Sequence, residues 1–287
     1  MKEKIRLKRI RPKKLLRGFL FYAVVCTLAL VCVIPLYWMV RSSLMKTTEI
    51  YMMDPFIVWP RVMHWENYAD AMKFAPFGRY AGNTLIILSG CLAGVLLTGS
   101  MAAYAFSRIK WKGRSFCFFL ILTTMMLPAS VTVVPQFMIW KGLNAIDTYL
   151  PLILPSFLGG GAFNVFLLRQ FFMGIPKELD EAAKMDGAGH IRIFLQIILP
   201  LSRSVLIVIG LFTFLNCWND FFAPLIYLND QKKYTLALGL LQFRGNYQSK
   251  WNLLMAASTI VAVPCIFVYL LGQKYLIEGI TLTGMKA

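Results

Sequence analysis

The chain has 287 residues, of which 58% are hydrophobic and only 15% charged, and its mean hydropathy of +0.63 argues against a single water-soluble core, since several apolar runs approach the roughly 20 residues that cross a bilayer. A formal net charge of +17 would suggest nucleic acid in a soluble protein; beside apolar spans it is explained by Lys and Arg favoured next to anionic lipid and on the cytoplasmic side, so no nucleic-acid partner is expected. Cys26, Cys32, Cys91, Cys117, Cys217 and Cys265 lie in or beside apolar segments without CxxC or Cys/His spacing and read as small apolar side chains, not as a disulfide framework or zinc site.

Residues 1–17 are dense in Lys and Arg, with Glu3 the single acid. The apolar run that follows, 18–40, lacks a small-residue cleavage site and reads as an uncleaved first span with a cytoplasmic N-terminus. Residues 41–83 read as an external loop with a short helix at about 66–74. A core of five further spans is expected over 84–271. Its first run, about 84–106, contains Gly90, Gly94 and Gly99, a spacing that lets helices approach closely. The basic turn 108–114 then marks a cytoplasmic loop. A third span at about 116–140 is interrupted by Pro128 and Pro135, and a fourth at about 150–172 by Pro155 and Gly159–Gly161. Such breaks fit either a helix facing a pathway or central packing. Arg169 marks the return to the cytoplasm. The fifth span runs from Pro200 or Ser202 to Tyr227 and carries Asp220, which lines a cavity, anchors at the interface or hydrogen-bonds between helices. Residues 229–251 form an external polar segment, 251–271 the last span and 272–287 a cytoplasmic tail. The expected fold is thus an all-α polytopic membrane protein of six transmembrane helices, both termini cytoplasmic, which places 173–199 on that same side.

The polar island between spans four and five carries the most chemistry. Pro176 opens a helix whose first turns hold Glu178, Asp180 and Glu181, acids near the positive end of the helix dipole. Ala182 and Ala183 offer a low-profile surface. Gly187 and Gly189 permit a turn into a second amphipathic segment with Ile191, Phe194 and Leu195. A protein-docking knob and an amphipathic interface helix both fit this pattern. No metal cluster, paired carboxylate or nucleophile and base accompanies Glu181, so catalysis is not expected. The chain lacks GxxxxGK[ST] and has no phosphate-cradling loop of its own. Asn83, Gln136, Asn164, Asn216 and Asn219 are candidate translocation-path residues, amides that either hydrogen-bond sugar hydroxyls or pack helices.

The spacing Glu181-Ala182-Ala183, three residues, Gly187, nine residues, Ile197, one residue, Leu199-Pro200 resembles the EAA loop of the membrane subunits of binding-protein-dependent ABC importers. Thr98–Arg108, Trp218-Asn219-Asp220-Phe221 and Tyr275–Gly284 extend the likeness to the MalG-like permeases of the carbohydrate-uptake branch. That resemblance implies the type I importer permease fold in a bacterial cytoplasmic membrane, surrounded by lipid. It implies a homologous second permease subunit, two ATPase subunits that use ATP and Mg, an extracytoplasmic solute-binding protein and a sugar, either an oligosaccharide or a glycerol phosphate. The loop 176–200, with Glu181, Ala182, Ala183 and Gly187, becomes the ATPase-coupling element, and the chain itself binds no cofactor and is not an enzyme. Segment 229–251 faces the binding protein, and the tail lies near the ATPase pair. The rival readings are an ion-coupled secondary transporter, suggested by the broken spans and Asp220, and a membrane scaffold.

Overall fold

The computed structural model describes residues 12–51, 59–60, 62–244 and 250–284, the side chains of 12–17, 129 and 277–284 excepted. Residues 1–11 of the basic N-terminus, 52–58 and 61 of the first loop, 245–249 of the second polar segment and 285–287 of the tail lie outside the described residues. Helix α1 spans Pro12–Ser43, α2 Thr47–Tyr51, α3 Glu66–Phe74 and α4 Phe77–Gly94, which passes through a π-helical turn, Val95–Gly99, into α5, Ser100–Ser107. Helices α6 (Arg114–Thr124), α7 (Ala129–Gly142), α8 (Leu150–Ile153) and α9 (Ala162–Gly174) follow. Then come α10 (Glu178–Met185), α11 (His190–Ile193), α12 (Leu199–Leu201), α13 (Arg203–Asn219), α14 (Phe222–Tyr227), α15 (Leu236–Gly239) and α16 (Trp251–Gly284).

Among the described residues, four helical stretches are long and apolar enough to cross a membrane: Gly18–Ser43, Phe77–Ser107, Leu150–Gly174 and Trp251–Leu276. A fifth results if His190–Leu201 and Arg203–Asn219, bent by 78°, form one span. The protein is an all-α polytopic membrane protein. The expected third span, 116–140, is not one helix but the short pair α6 and α7. Pro128 lacks an N–H and drives the preceding residue out of helical geometry, and Pro128 itself is extended at φ −66°, ψ 138°. The expected fifth span also stops early. Asp220 leaves the helix at ψ 114°, and its Oδ1 accepts the Ala223 N–H at 3.2 Å, opening α14.

Contacts divide the chain into two units. In the first, residues 1–71 with 243–259, the segment after α1 is tied by amides. Asn67 Nδ2 donates to the carbonyls of Ser43 and Met45, at 2.8 and 3.0 Å. Asn252 Nδ2 donates to Asn67 Oδ1 at 2.9 Å, and Thr47 Oγ1 donates to Asn252 Oδ1 at 2.6 Å. These bonds satisfy polar groups around a buried stretch, Arg41 to Met45, where an unpaired group is costly.

The second unit, 72–242 with 260–287, is built on glycines where the expected close approaches occur. A Cβ on Gly90 would lie 2.7 Å from Ile153 Cγ2, and one on Gly94 would lie 2.8 Å from the Ser156 carbonyl carbon. At Gly160 a Cβ would meet Gly99 Cα at 2.7 Å, on a backbone at φ +72° that disfavours side chains in any case. The π-helical turn before Gly99 thus fits the break at Gly159–Gly161 backbone to backbone, the small-residue contact that packs helices in lipid, where apolar burial alone supplies no drive. Below it, α5 and α9 share a buried cluster that includes Tyr104, Leu168, Phe172, Ile198 and Ile209.

Candidate functional site

Helix α10 is two turns long, too short to persist alone in water. Its first turn holds Glu178, Asp180 and Glu181, favourable against the helix dipole. What fixes it is Arg108, at the end of α5. One guanidinium nitrogen meets Asp180 Oδ2 at 3.2 Å, and the other donates to the carbonyls of Phe172 and, at 2.7 Å, Ile175. Those carbonyls end α9, so a single side chain joins α5, the end of α9 and α10. The pair is enclosed: the side chains are 3% and 11% exposed. Arg108 Nε and Asp180 Oδ1 are buried without a hydrogen-bond partner among the described residues. Arg169 of α9 returns the contact, its Nε donating to the Phe106 carbonyl near the end of α5 at 3.1 Å. Helices α5 and α9 therefore end side by side, each one's arginine taking terminal carbonyls of the other, where cations also oppose the negative end of the dipole.

The far end of α10 closes on Gly187, at φ +80°. Its N–H donates to the Lys184 carbonyl at 3.0 Å, and the Ala188 N–H donates to the Ala183 carbonyl at 2.9 Å, the paired bonds of a Schellman turn. Ala183 and Ala188 pack against the core cluster, whereas Glu181 and Ala182 face outward. The order helix, glycine turn, helix expected from the sequence is present. Beyond it, Ile193 and Ile198 are buried while Met185 and Ile191 are 89% and 76% exposed. A hollow of about 660 Å3 lined by His190, Ile191, Arg192 and Leu195 opens beside them. The knob thus combines a fixed inner face with an outer one on which Met185 and Ile191 stand among the exposed Glu181, Lys184 and Arg192.

The five candidate path amides are spread through the second unit, and among the described residues no hydrogen bond joins any two of them. Asn83 is buried, and its Nδ2 donates to the carbonyls of Lys232 and Tyr234, both at 2.9 Å. Asn164 donates to the Gly160 carbonyl at 2.7 Å, and Asn219 to the Leu215 carbonyl at 2.8 Å. Gln136 and Asn216 are exposed. Asn83 belongs to a second clasp. Next to it, Thr84 Oγ1 accepts the Leu236 N–H at 2.9 Å. Asp147, at φ +59°, accepts the N–H groups of Asn229 and Asp230 with Oδ1, both at 3.0 Å, and Lys233 Nζ with Oδ2 at 2.6 Å. The Asp230 N–H, then the Lys233 ammonium, hold this carboxyl down at about 2.

Arg108 and Asp180 are the residues that sequence reasoning missed. One read as a topological marker and the other as a helix-opening acid; nothing in the sequence set Asp180, buried, apart from its exposed neighbours Glu178 and Glu181.

Residues 95–281 match the family described as "Binding-protein-dependent transport system inner membrane component". The chain is 34% identical to the probable ABC transporter permease protein YurM of Bacillus subtilis, over 88% of this chain and 83% of that protein. It is 31% identical to the arabinooligosaccharides transport system permease protein AraQ of Bacillus subtilis, covering 90% and 92%. It is likewise 31% identical to the sn-glycerol-3-phosphate transport system permease protein UgpE of Yersinia enterocolitica, covering 88% and 91%. Among solved structures, a bacterial ABC transporter involved in the import of the acidic polysaccharide alginate superposes with a TM-score of 0.82 over 93% of this chain and 98% of that one, at 22% identity, a likeness of fold. A family match over more than half of the chain, with relatives above 30% identity along most of their length, makes this multi-pass membrane protein a member of the binding-protein-dependent transport system inner membrane components.

Proposed function

We propose that this chain is the MalG-like permease subunit of an ATP-driven sugar importer, and that α10 to α12 form the element through which ATPase subunits move the membrane core. The observation that carries the reading is the two-sided character of α10: clasped to α5 and α9 by Arg108, yet presenting Glu181, Ala182 and Met185 outward. A docking element must be stiffly joined to what it moves, because a contact equal in both states of the core shifts no equilibrium.

In this reading the chain crosses the membrane six times, with α6 and α7 together making the third crossing and α13 with α14 the fifth. Both termini and α10 lie in the cytoplasm, and residues 229–251 lie outside, facing the solute-binding protein. A homologous permease subunit and two ATPase subunits complete the assembly. Asn83, Gln136, Asn164, Asn216 and Asn219 remain the amides proposed for the path, with the exposed Gln136 and Asn216 the freest to meet a solute. The relatives named for arabinooligosaccharides and for glycerol 3-phosphate favour an oligosaccharide first and a glycerol phosphate second; ligand screening of the cognate binding protein separates the two.

The test is co-purification with the ATPase subunit. Glu181→Lys and Gly187→Pro are expected to lose that complex while the permease still inserts. Intact complexes and ATP-coupled uptake in both variants would sink the docking role.

A further inference from the structure

Beneath α10 lie arginines of three helices, and among the described residues Asp180 is the carboxylate that pairs with one of them. Arg108 follows α5, Arg114 opens α6 and Arg169 belongs to α9. Asp180 pairs with Arg108. The hydrogen bonds of Arg114 and Arg169 go to neutral carbonyls, those of Ile109 and Phe106. Arg108 Nε, on a side chain 3% exposed, has no hydrogen-bond partner among the described residues. Arg108 is paired, so the charge left over sits on the half-buried Arg114 and Arg169, and an anion from elsewhere would offset it.

Arg108 and Arg114 open onto a cleft of about 550 Å3 whose lining sets them, with Lys110, Lys177 and Lys184, against Asp180 and Glu181. A second hollow of about 250 Å3 begins at the same Lys110 and Arg114, passes Trp111 and ends at Phe116, with no acid in its lining. From there an apolar strip continues down α6. Phe116, Phe119 and Leu120, one helix face by their i, i+3, i+4 spacing, are 65%, 61% and 46% exposed. A cationic hollow, an interfacial tryptophan and an apolar strip in sequence match an anionic amphiphile from head to tail.

We propose that Lys110 and Arg114 hold the phosphate of an anionic phospholipid, with an acyl chain laid along Phe116, Phe119 and Leu120. A carboxylate from a protein partner would answer the charge but leave the apolar strip unexplained. A zwitterionic lipid would use the strip but bring no net charge. The bound phosphate braces the turn between α5 and α6, the turn that carries Arg108 up to α10. This inference rests on membership among the membrane components and not on the docking role of α10, so the two fail separately.

Native mass spectrometry of the purified full-length protein, co-expressed with its partner subunits, stripped of lipid and titrated with phosphatidylglycerol or phosphatidylcholine of the same acyl chains, tests it. Phosphatidylglycerol is expected to be retained in preference, and Lys110→Gln to weaken its retention about fivefold, the effect of one cation near an anionic headgroup. Lys112→Gln removes the same charge from the same turn, exposed and outside both hollows, and is expected to leave retention unchanged. Equal retention of the two lipids, or equal losses in Lys110→Gln and Lys112→Gln, overturns the site. Displacement of the lipid by millimolar inorganic phosphate reassigns it to a free anion. Loss of the ATPase subunit from Lys110→Gln with lipid retention unchanged reassigns it to that protein, and either result ends the lipid proposal.

Discussion

Two clasps hold loops to the helical core of this protein, and each is centred on one acid and one cation. The Arg108–Asp180 pair is enclosed, 3% and 11% exposed; the Lys233–Asp147 pair is open, 37% and 28%. Enclosure decides what each pair does. In the open clasp solvent screens the charges, so the ion pair itself contributes little. Register there comes from backbone: two N–H groups on Asp147 and two carbonyls on Asn83. In the enclosed clasp either charge left alone has no water to turn to. The first arrangement bends; the second holds or breaks.

The largest effect should therefore follow removal of one charge from the enclosed pair. Asp180→Leu leaves Arg108 uncompensated, and a buried pair broken this way costs about 3–5 kcal/mol. Arg108→Met with Asp180→Leu removes both charges and should recover most of that loss in thermal melts of the purified protein. A double variant as unstable as the single one would show that the carbonyl contacts, not the charge, dominate.

Gly160→Ala comes next. Its Cβ would meet the Gly99 backbone at 2.7 Å, at a positive φ, and overpacking of this kind costs about 1–3 kcal/mol. Gly187→Ala is milder, because nothing lies within 4 Å of its Cβ and only the left-handed backbone opposes it, at about 1–2 kcal/mol. Melting temperatures that rank these two in the reverse order would contradict the packing described for the Gly99–Gly160 contact.

The smallest effect belongs to the open clasp and to pH. Asp147 is held at about 2, below its ordinary 3.8. A carboxyl depressed on folding stabilises fully above its unfolded value and loses that contribution as pH falls through the folded one. Hydrogen exchange at the Asn229 and Asp230 amides should accordingly be slow down to about pH 4 relative to the intrinsic rate, and lose protection between about 4 and 2. Lys233 is raised by the same contact, so its share is present at neutral pH and is lost only as pH rises through that raised value. Protection unchanged down to pH 2 would remove Asp147 from the clasp.

Much of this was legible from residue order and some of it was not, for physical reasons. The short helix at 66–74 carries its own propensity and reappears as Glu66–Phe74. Gly90, Gly94 and Gly99 permitted close packing and make it, whereas Gly78 and Gly82 of the same helix face open space, so glycine alone does not announce a contact. The helix, turn and helix of the knob were readable because Gly187 and Gly189 follow good helix formers and supply a turn, the first at φ +80°. The interruption expected at Pro128 is present, whereas Pro135 lies inside α7; the break at Asp220 was harder, since hydropathy averages across a kink and sees one apolar run. The Arg108–Asp180 pair was invisible because its partners are 72 residues apart, and neither is unusual where it stands. Asn83 shows the same limit: a lone amide beside an apolar run reads equally as solute ligand or loop anchor, and only the folded neighbours assign its hydrogen bonds.

The central claim is that α10 transmits motion because the enclosed clasp fixes it to α5 and α9. Stimulation of ATP hydrolysis by the loaded cognate binding protein, measured on the reconstituted importer carrying Asp180→Asn, tests it most directly. The account predicts that the ATPase subunits still co-purify and hydrolyse ATP at the basal rate, while stimulation is lost. Full stimulation in that variant would contradict it.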